Sequence, residues 1–174
     1  GLFCVGDGET YNVPVEMAET RYGIRVDEHS LHTDGAGAGE YRGGSGAVRV
    51  YRSMNENQTF TASFGRNKWP VWGAAGGKDG SVNYFQFIDA DGTVSEPMGI
   101  AARRVMNTND VVRMVTATGG GYGNPFKRPA EKVAMDVKNE YITVEQAKAD
   151  YGVLVDPETF KVLGLTEERQ KAEK

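Results

Sequence analysis

Two histidines, one cysteine and a few glycine-flanked polar residues are the chemistry-bearing candidates in this chain of 174 residues. His29 and His32 form a His-x-x-His pair with Asp27, Glu28 and Asp34 close by. Imidazoles and carboxylates so placed can hold a metal ion. Residues three apart on a strand point to opposite faces, however, so the pair chelates only if the chain turns between them. Histidines on a surface or interface are the plainer reading. Cys4 sits between Phe3 and Val5. A nucleophilic thiolate needs a base and an electropositive setting, and this one reads as a small buried hydrophobe. Ser45, in Gly43-Gly44-Ser45-Gly46, lacks the spacing of a nucleophile elbow.

Arg42, beside Tyr41 and between glycines, is the more interesting candidate. A guanidinium on a glycine loop can grip a carboxylate or phosphate through two parallel hydrogen bonds. The alternative is an arginine that ties two loops together through backbone carbonyls. The run Gly119-Gly120-Gly121-Tyr122-Gly123 has the composition of a phosphate cradle and follows a strand-like segment. Yet no Gly-Lys-Ser/Thr follows, and Asn124-Pro125 stands where a P-loop helix would begin. No helical pattern follows Gly37-x-Gly39, so a dinucleotide fold is not implied. Trp69, Trp72, Tyr84, Phe85, Phe87 and Tyr122 could line a pocket, though such residues more often build a core or an interface.

These candidates hang on glycine. The chain holds 23, and they cluster at Gly35–Gly46, Gly73–Gly80 and Gly119–Gly123 with no fixed period, which excludes collagen-like and repeat architectures. Between the clusters lie strand signals: Ile24 to Leu31, the alternation around Val48 to Tyr51, Gln58 to Phe64, Val82 to Ile88 and Asp110 to Ala117. Gly1 to Val5 also reads as strand. Val13 to Arg21 suits a short helix with Pro14 in its first turn. After residue 124 the character changes. Ala130, Val133, Ala134, Val137 and Tyr141 share one face of a predicted helix. Thr143-x-x-Gln146 is a capping box opening a second helix that runs to about Asp150. From Thr166 the composition predicts a charged, frayed helical tail. The expected fold is therefore α+β: a β-rich body of antiparallel or mixed strands with tight glycine loops over residues 1–124, then a small helical appendage over 125–174.

Several classes are excluded. With 39% hydrophobic and 25% charged residues the chain is not disordered. A single cysteine forms no internal disulfide and excludes a multi-cysteine zinc site. A net charge of −4 argues against nucleic acid as partner. No apolar run approaches a membrane span, and no signal peptide follows Gly1, so a cytoplasmic location is expected. The opening on Gly1 points to a fragment, a processed product or a start preceded by further residues.

Five stretches in register resemble one family, that of hydantoinase B/oxoprolinase, which also holds the large subunits of acetone and acetophenone carboxylases. They are Asn12-Val-Pro14-Val-Glu16 with Glu19, Asp34-Gly-Ala-Gly37-Ala-Gly39-Glu-Tyr41-Arg42-Gly43-Gly44-Ser-Gly46, Trp69-Pro-Val-Trp72-Gly73 with Gly76-Gly77, Thr116-Ala-Thr118-Gly119-Gly120-Gly121-Tyr122-Gly123-Asn124-Pro125, and Val137, Ile142 to Ala147 and Asp150-Tyr151-Gly152-Val153. Only the C-terminal portion of that longer family is matched. Val13, Ala117, Thr118 and Asn124 depart from its usual Thr, Pro, Gly and Asp, and Glu40 stands where a basic residue is frequent.

The resemblance implies a partner A subunit that uses ATP and Mg²⁺ to phosphorylate a carbonyl, phosphate being a far better leaving group than hydroxide. The B part then completes opening of a cyclic amide, or carboxylation of a ketone in the carboxylase branch. A divalent metal is implied in the N-terminal part of B, with no ligand in this segment. On this reading the isolated segment supplies packing, subunit contacts and a lip of the active site rather than proton transfer. The residues expected to line substrate or loop are Asp34, Tyr41, Arg42, Gly119, Gly120, Gly121, Tyr122 and Gly123. No catalytic residue is assigned.

Overall fold

The computed structural model describes residues 13–172, so Cys4, Asn12 and the strand expected at Gly1–Val5 lie outside the described residues. The chain is α+β and forms two compact units.

The first unit comprises the described residues up to His32 together with Ala47–Trp69 and Asn83–Thr116. Helix α1 (Val15–Tyr22) follows Pro14, carries Glu16 in its first turn and Arg21 in its last, and ends on Gly23 at φ 61°. Those charges complement the helix dipole, and only glycine takes the left-handed cap without strain. Strands β1 (Ile24–His32), β2 (Gly46–Ser53), β4 (Tyr84–Ile88) and β6 (Val111–Val115) form a sheet in the order β1-β2-β6-β4. β6 is antiparallel to both neighbours, pairing Val115 with Val48 and Val112 with Phe87. Its interior place explains its nearly unbroken apolar run, since both faces are covered.

Strands β3 (Gln58–Ser63) and β5 (Ile100–Met106) make a second, two-stranded antiparallel sheet. Phe85, Phe87, Met106 and Val112 form the buried core, with Phe60 and Phe64 packed on it. The rings meet edge to face, with Phe60 5.6 Å from Phe85 and 5.5 Å from Phe87. Positive ring edges thus face negative ring faces.

Strand β5 has no counterpart among the sequence expectations. Its residues Ala101, Ala102, Arg103 and Arg104 show no alternation, and the reason is visible. Pairing with β3 slips between Phe60 and Ala62, and Arg103 adopts φ 53°. A bulge of this kind resets which side chains face inward, which erases the two-residue period.

The second unit holds Thr33–Gly46, Pro70–Val82 and the described residues from Ala117 onward. Its helical part contains a 3-10 turn (Pro125–Lys127), α2 (Ala130–Lys138), α3 (Val144–Tyr151), the hairpin β7 (Val153–Val155) and β8 (Val162–Leu165), and α4 (Glu167–Ala172). Val133, Ala134, Val137, Ile142, Ala147, Tyr151, Val153 and Val155 form its core. The capping box is present in both directions: Thr143 Oγ1 accepts from Gln146 N, and Gln146 Oε1 accepts from Thr143 N.

Two expectations need correction. Helix α2 stops at Lys138 instead of reaching Tyr141, because Glu140 turns to φ 59° and Tyr141 N donates to Asp136 O. The segment after Thr166 is helical as expected, as α4, but it is anchored rather than frayed over the described residues, because Arg169 is buried. The Arg169 guanidinium donates to Tyr151 O at 3.0 Å and Arg128 O at 2.9 Å, which anchors the helix.

Candidate functional site

The three glycine windows come together in the second unit. They are not strands but three extended threads, cross-linked by backbone hydrogen bonds. Gly37 N donates to Gly119 O, Gly119 N to Gly44 O, Lys78 N to Ala38 O, Gly121 N to Lys78 O, and Ala74 N to Gly121 O. Tyr41 and Tyr122 exchange both backbone bonds as an antiparallel bridge, at 3.0 and 2.9 Å. Each thread therefore meets the other two.

Glycine is required by distance here. A Cβ on Gly43 would overlap the Gly119 carbonyl, and one on Gly121 would overlap the Ala38 oxygen and lie 2.7 Å from the Gly37 oxygen. The obstructing atoms are backbone, which cannot swing aside. The same packing decides what the GGGYG run can do. The N–H groups of Gly119, Gly121, Tyr122 and Gly123 are all spent on Gly44, Lys78, Tyr41 and Ala74. Four of the five N–H groups of Gly119–Gly123 are thus unavailable to a phosphate, so a phosphate cradle does not fit this run.

Thr118, one of the departures from the family pattern, is buried and stitches the threads. Its hydroxyl donates to Gly35 O at 2.7 Å and accepts from Ser81 N at 2.9 Å, while its own N–H donates to Ser81 Oγ at 2.9 Å. Thr118→Val keeps the shape and removes the hydroxyl. It should lower unfolding free energy by about 1 kcal/mol, because the Gly35 carbonyl and the Ser81 N–H lose their partner. Urea denaturation of the variant beside the parent chain measures this. Asn124 caps the 3-10 turn by accepting from Phe126 N through Oδ1, a bond an Asp at this position would make equally well.

The expected site residues are placed as follows. Tyr41 and Tyr122 stand side by side, ring centroids 6.2 Å apart, and both are exposed. Arg42 turns inward. Its Nε lies 3.5 Å from Asp136 Oδ2, its Nη1 donates to Gly43 O at 2.9 Å, and its guanidinium sits 4.7 Å above the Tyr141 ring. Asp34 is exposed and lines a cavity of about 320 Å³ with Thr33, Val137, Ile142 and Gln146. Nothing brings Asp34 together with Arg42. In the first unit, His29 is exposed, and His32 Nδ1 lies 2.9 Å from Thr116 O. Among the described residues no three His, Cys, Asp or Glu side chains gather as metal ligands, so the described residues do not fit a divalent metal. Of the aromatic candidates, Phe85 and Phe87 are core, whereas Trp69, Trp72 and Tyr122 are exposed.

Sequence reasoning missed a buried polar centre in this unit, built on Asp136. Its Oδ2 faces Arg128 Nη2 at 2.8 Å and Arg42 Nε at 3.5 Å, an ion pair without full hydrogen-bond geometry. Arg128 also donates to Glu40 O at 3.0 Å, which joins the helices to the first thread. The signal was present, since Asp136 falls three residues after Val133 and beside Val137, on the apolar stripe of α2. A carboxylate on such a stripe calls for a buried cation.

The Tyr151 hydroxyl is buried in the same region and has no hydrogen-bond partner. Burial pushes its pKa up to about 12. Its folded pKa thus lies above the ordinary value near 10. The stability this contributes is complete below about pH 10 and is lost as pH rises towards 12. Tyr151→Phe should flatten that alkaline decline and cost little at pH 7, as followed by thermal melts from pH 8 to 11.5.

A sequence profile described as Hydantoinase B/oxoprolinase matches residues 1–125. The chain is 32% identical over 148 residues to the B subunit of a putative D-/L-hydantoinase from Pseudomonas sp. strain NS671, covering 84% of this chain and 25% of that protein. It is 30% identical over 158 residues to the beta chain of the caprolactamase of Pseudomonas jessenii, covering 82% and 25%. The crystal structure of the ATP-dependent caprolactamase from that organism superposes with a TM-score of 0.71 at 29% identity, over 91% of this chain and 27% of that one. The nucleotide-free structure of an acetone carboxylase shares the fold, with a TM-score of 0.70 at 17% identity over 92% and 25%. The chain thus spans about a quarter of the length of these proteins. No described helix is long and apolar enough to cross a membrane. With the profile covering most of the chain and the glycine motifs folded into one thread cluster, this protein belongs to the hydantoinase B/oxoprolinase family.

Proposed function

We propose that this chain is the C-terminal part of a B-type subunit in an ATP-dependent enzyme that opens a cyclic amide by hydrolysis. The observation that carries the choice of hydrolase is the gradient of similarity. Identity is 29% to the ATP-dependent caprolactamase but 17% to the acetone carboxylase, at equal superposition. Equal fold with unequal sequence supports the hydrolase branch where fold alone favours neither. The carboxylase branch, acting on a ketone, is the second reading.

Within the assembly the chain's own part is structural. The N–H groups of Gly119, Gly121, Tyr122 and Gly123 are spent within the threads, and Arg42 is engaged with Asp136. The rigid thread cluster then serves as wall and lip of a site completed by the N-terminal part of B. An A-type subunit is the partner that uses ATP and Mg²⁺, which supply activation of the carbonyl. The enzyme would act in the cytoplasm. The test is turnover by the assembled enzyme on hydantoin, 5-oxoproline and a seven-membered lactam. Ring-opened acid formed only with ATP, in step with ADP, is the expected result. Bicarbonate-dependent carboxylation of a ketone, with no ring opening, would overturn it in favour of the second reading.

A further inference from the structure

We infer that the polar centre around Asp136 binds one halide-sized anion, held by Tyr151, Arg42 and Arg128. Three donors of this centre make no hydrogen bond: the Tyr151 hydroxyl and the Nε–H of each arginine. All are enclosed, with Tyr151 1% exposed and the Arg42 and Arg128 side chains 14% each. A buried donor without an acceptor costs free energy, and several in one place mark a bound water or ion.

Charge and donor number select the ion. Asp136 is the carboxylate that meets both guanidiniums, so two cations share one anion and one positive charge is left over. The other acid whose field reaches the Tyr151 hydroxyl, Asp150, is paired with Lys78. Buried charge is tolerated where it is compensated. A water accepts two hydrogen bonds and brings no charge, so one of the three donors and the surplus charge would both remain. A halide accepts from all three and cancels the charge. Asp136 does not close the set itself. Its Oδ2 is ion-paired with Arg128 Nη2 at 2.8 Å and lies 3.5 Å from Arg42 Nε without a hydrogen bond.

Size narrows the class further. The principal cavities of this unit, of about 320, 370 and 500 Å³, are not lined by Arg42, Arg128 or Tyr151. A monatomic anion fits such a packed centre, and a phosphate or a substrate carboxylate does not. Its holders come from separate elements. Asp136 lies on α2, Tyr151 ends α3, and Arg42 belongs to the first thread, to which Arg128 is tied through Glu40 O. The anion therefore fastens the helices to the threads and should be felt as stability.

The test follows thermal melting of the 174-residue chain while sodium gluconate is replaced by sodium chloride at constant ionic strength, which holds screening fixed. Gluconate is too large for the centre. The melting temperature should rise and saturate, standing about 3–6 °C higher at ten times the half-saturating chloride. Tyr151→Phe keeps the ring and removes one donor. It should raise the half-saturating concentration at least about tenfold, the worth of a hydrogen bond to a charged group. Crystals grown in bromide should show an anomalous peak within hydrogen-bond reach of the Tyr151 hydroxyl and both Nε atoms. Equal melting in the two salts, a rise that never saturates, or an unchanged half-point in Tyr151→Phe overturns the inference. So does a crystal with water at the centre and no bromide signal there. A bromide peak without a melting shift is binding at crystal concentration only and overturns it as well.

Discussion

Gly121→Ala should unfold the second unit, or cost more than about 3 kcal/mol where the variant remains soluble. The added methyl has nowhere to go, since the Ala38 carbonyl occupies its position and the Gly37 oxygen is 2.7 Å away. Relief requires the third thread to back away from the first. That movement breaks Gly121 N to Lys78 O, Ala74 N to Gly121 O and the Tyr41–Tyr122 bridge together, because one short thread carries all of them. Gly65→Ala is the matched control: nothing lies within 4 Å of its Cβ, and its φ is not left-handed. It should be neutral or stabilise by up to about 1 kcal/mol through the unfolded chain. Circular dichroism and urea titration of the two variants in parallel check the contrast. Comparable stabilities would show that the threads are compliant and that the glycines answer to something other than close packing.

Asp136→Ala should be the other severe substitution, at about 3–5 kcal/mol. Asp136 is the carboxylate between the Arg42 and Arg128 side chains, and all three are largely buried. Removing it leaves two like charges facing each other out of water, with the Nε of each already lacking a hydrogen bond. The pair need not be a net source of stability, because desolvating the ions offsets much of their attraction. Replacing Arg42, Arg128 and Asp136 together with apolar residues of similar volume should therefore recover most of the loss. A thermodynamic cycle over the single and combined variants, read by denaturant unfolding, measures this coupling. A single Asp136→Ala variant as stable as the parent would remove the centre's structural role.

These two effects mark where the sequence was legible. The α+β class, the antiparallel strands around Val48, Phe85 and Val112, and both ends of α3 follow from periodicity and capping signals. These are properties of neighbouring residues and are written locally. The mutual packing of the glycine windows is not local. Gly43 and Gly119 are 76 positions apart, and nothing in either window names the other, since glycine's role is to lack a side chain. Arg42 shows the same limit. Both a ligand grip and a structural tie are open to a loop arginine, and the partner that engages it, Asp136, lies nearly a hundred residues on. Strand β5 was lost for a third reason, the bulge at Arg103 that breaks its alternation.

The order in which the chain visits its two units has a kinetic consequence. Segments of the first and second unit alternate along the sequence, with five crossings at residues 32/33, 46/47, 69/70, 82/83 and 116/117. As the chain emerges from the ribosome, the first two threads appear long before Gly119–Gly123, to which both are hydrogen-bonded. Until then their unpaired N–H and C=O groups face water or a chaperone. The loops to be closed are long, so folding should be slow and late, with its barrier set by chain entropy more than by local propensity. A released chain truncated after residue 116 should hold the described segments of the first unit and leave its first two threads open to protease.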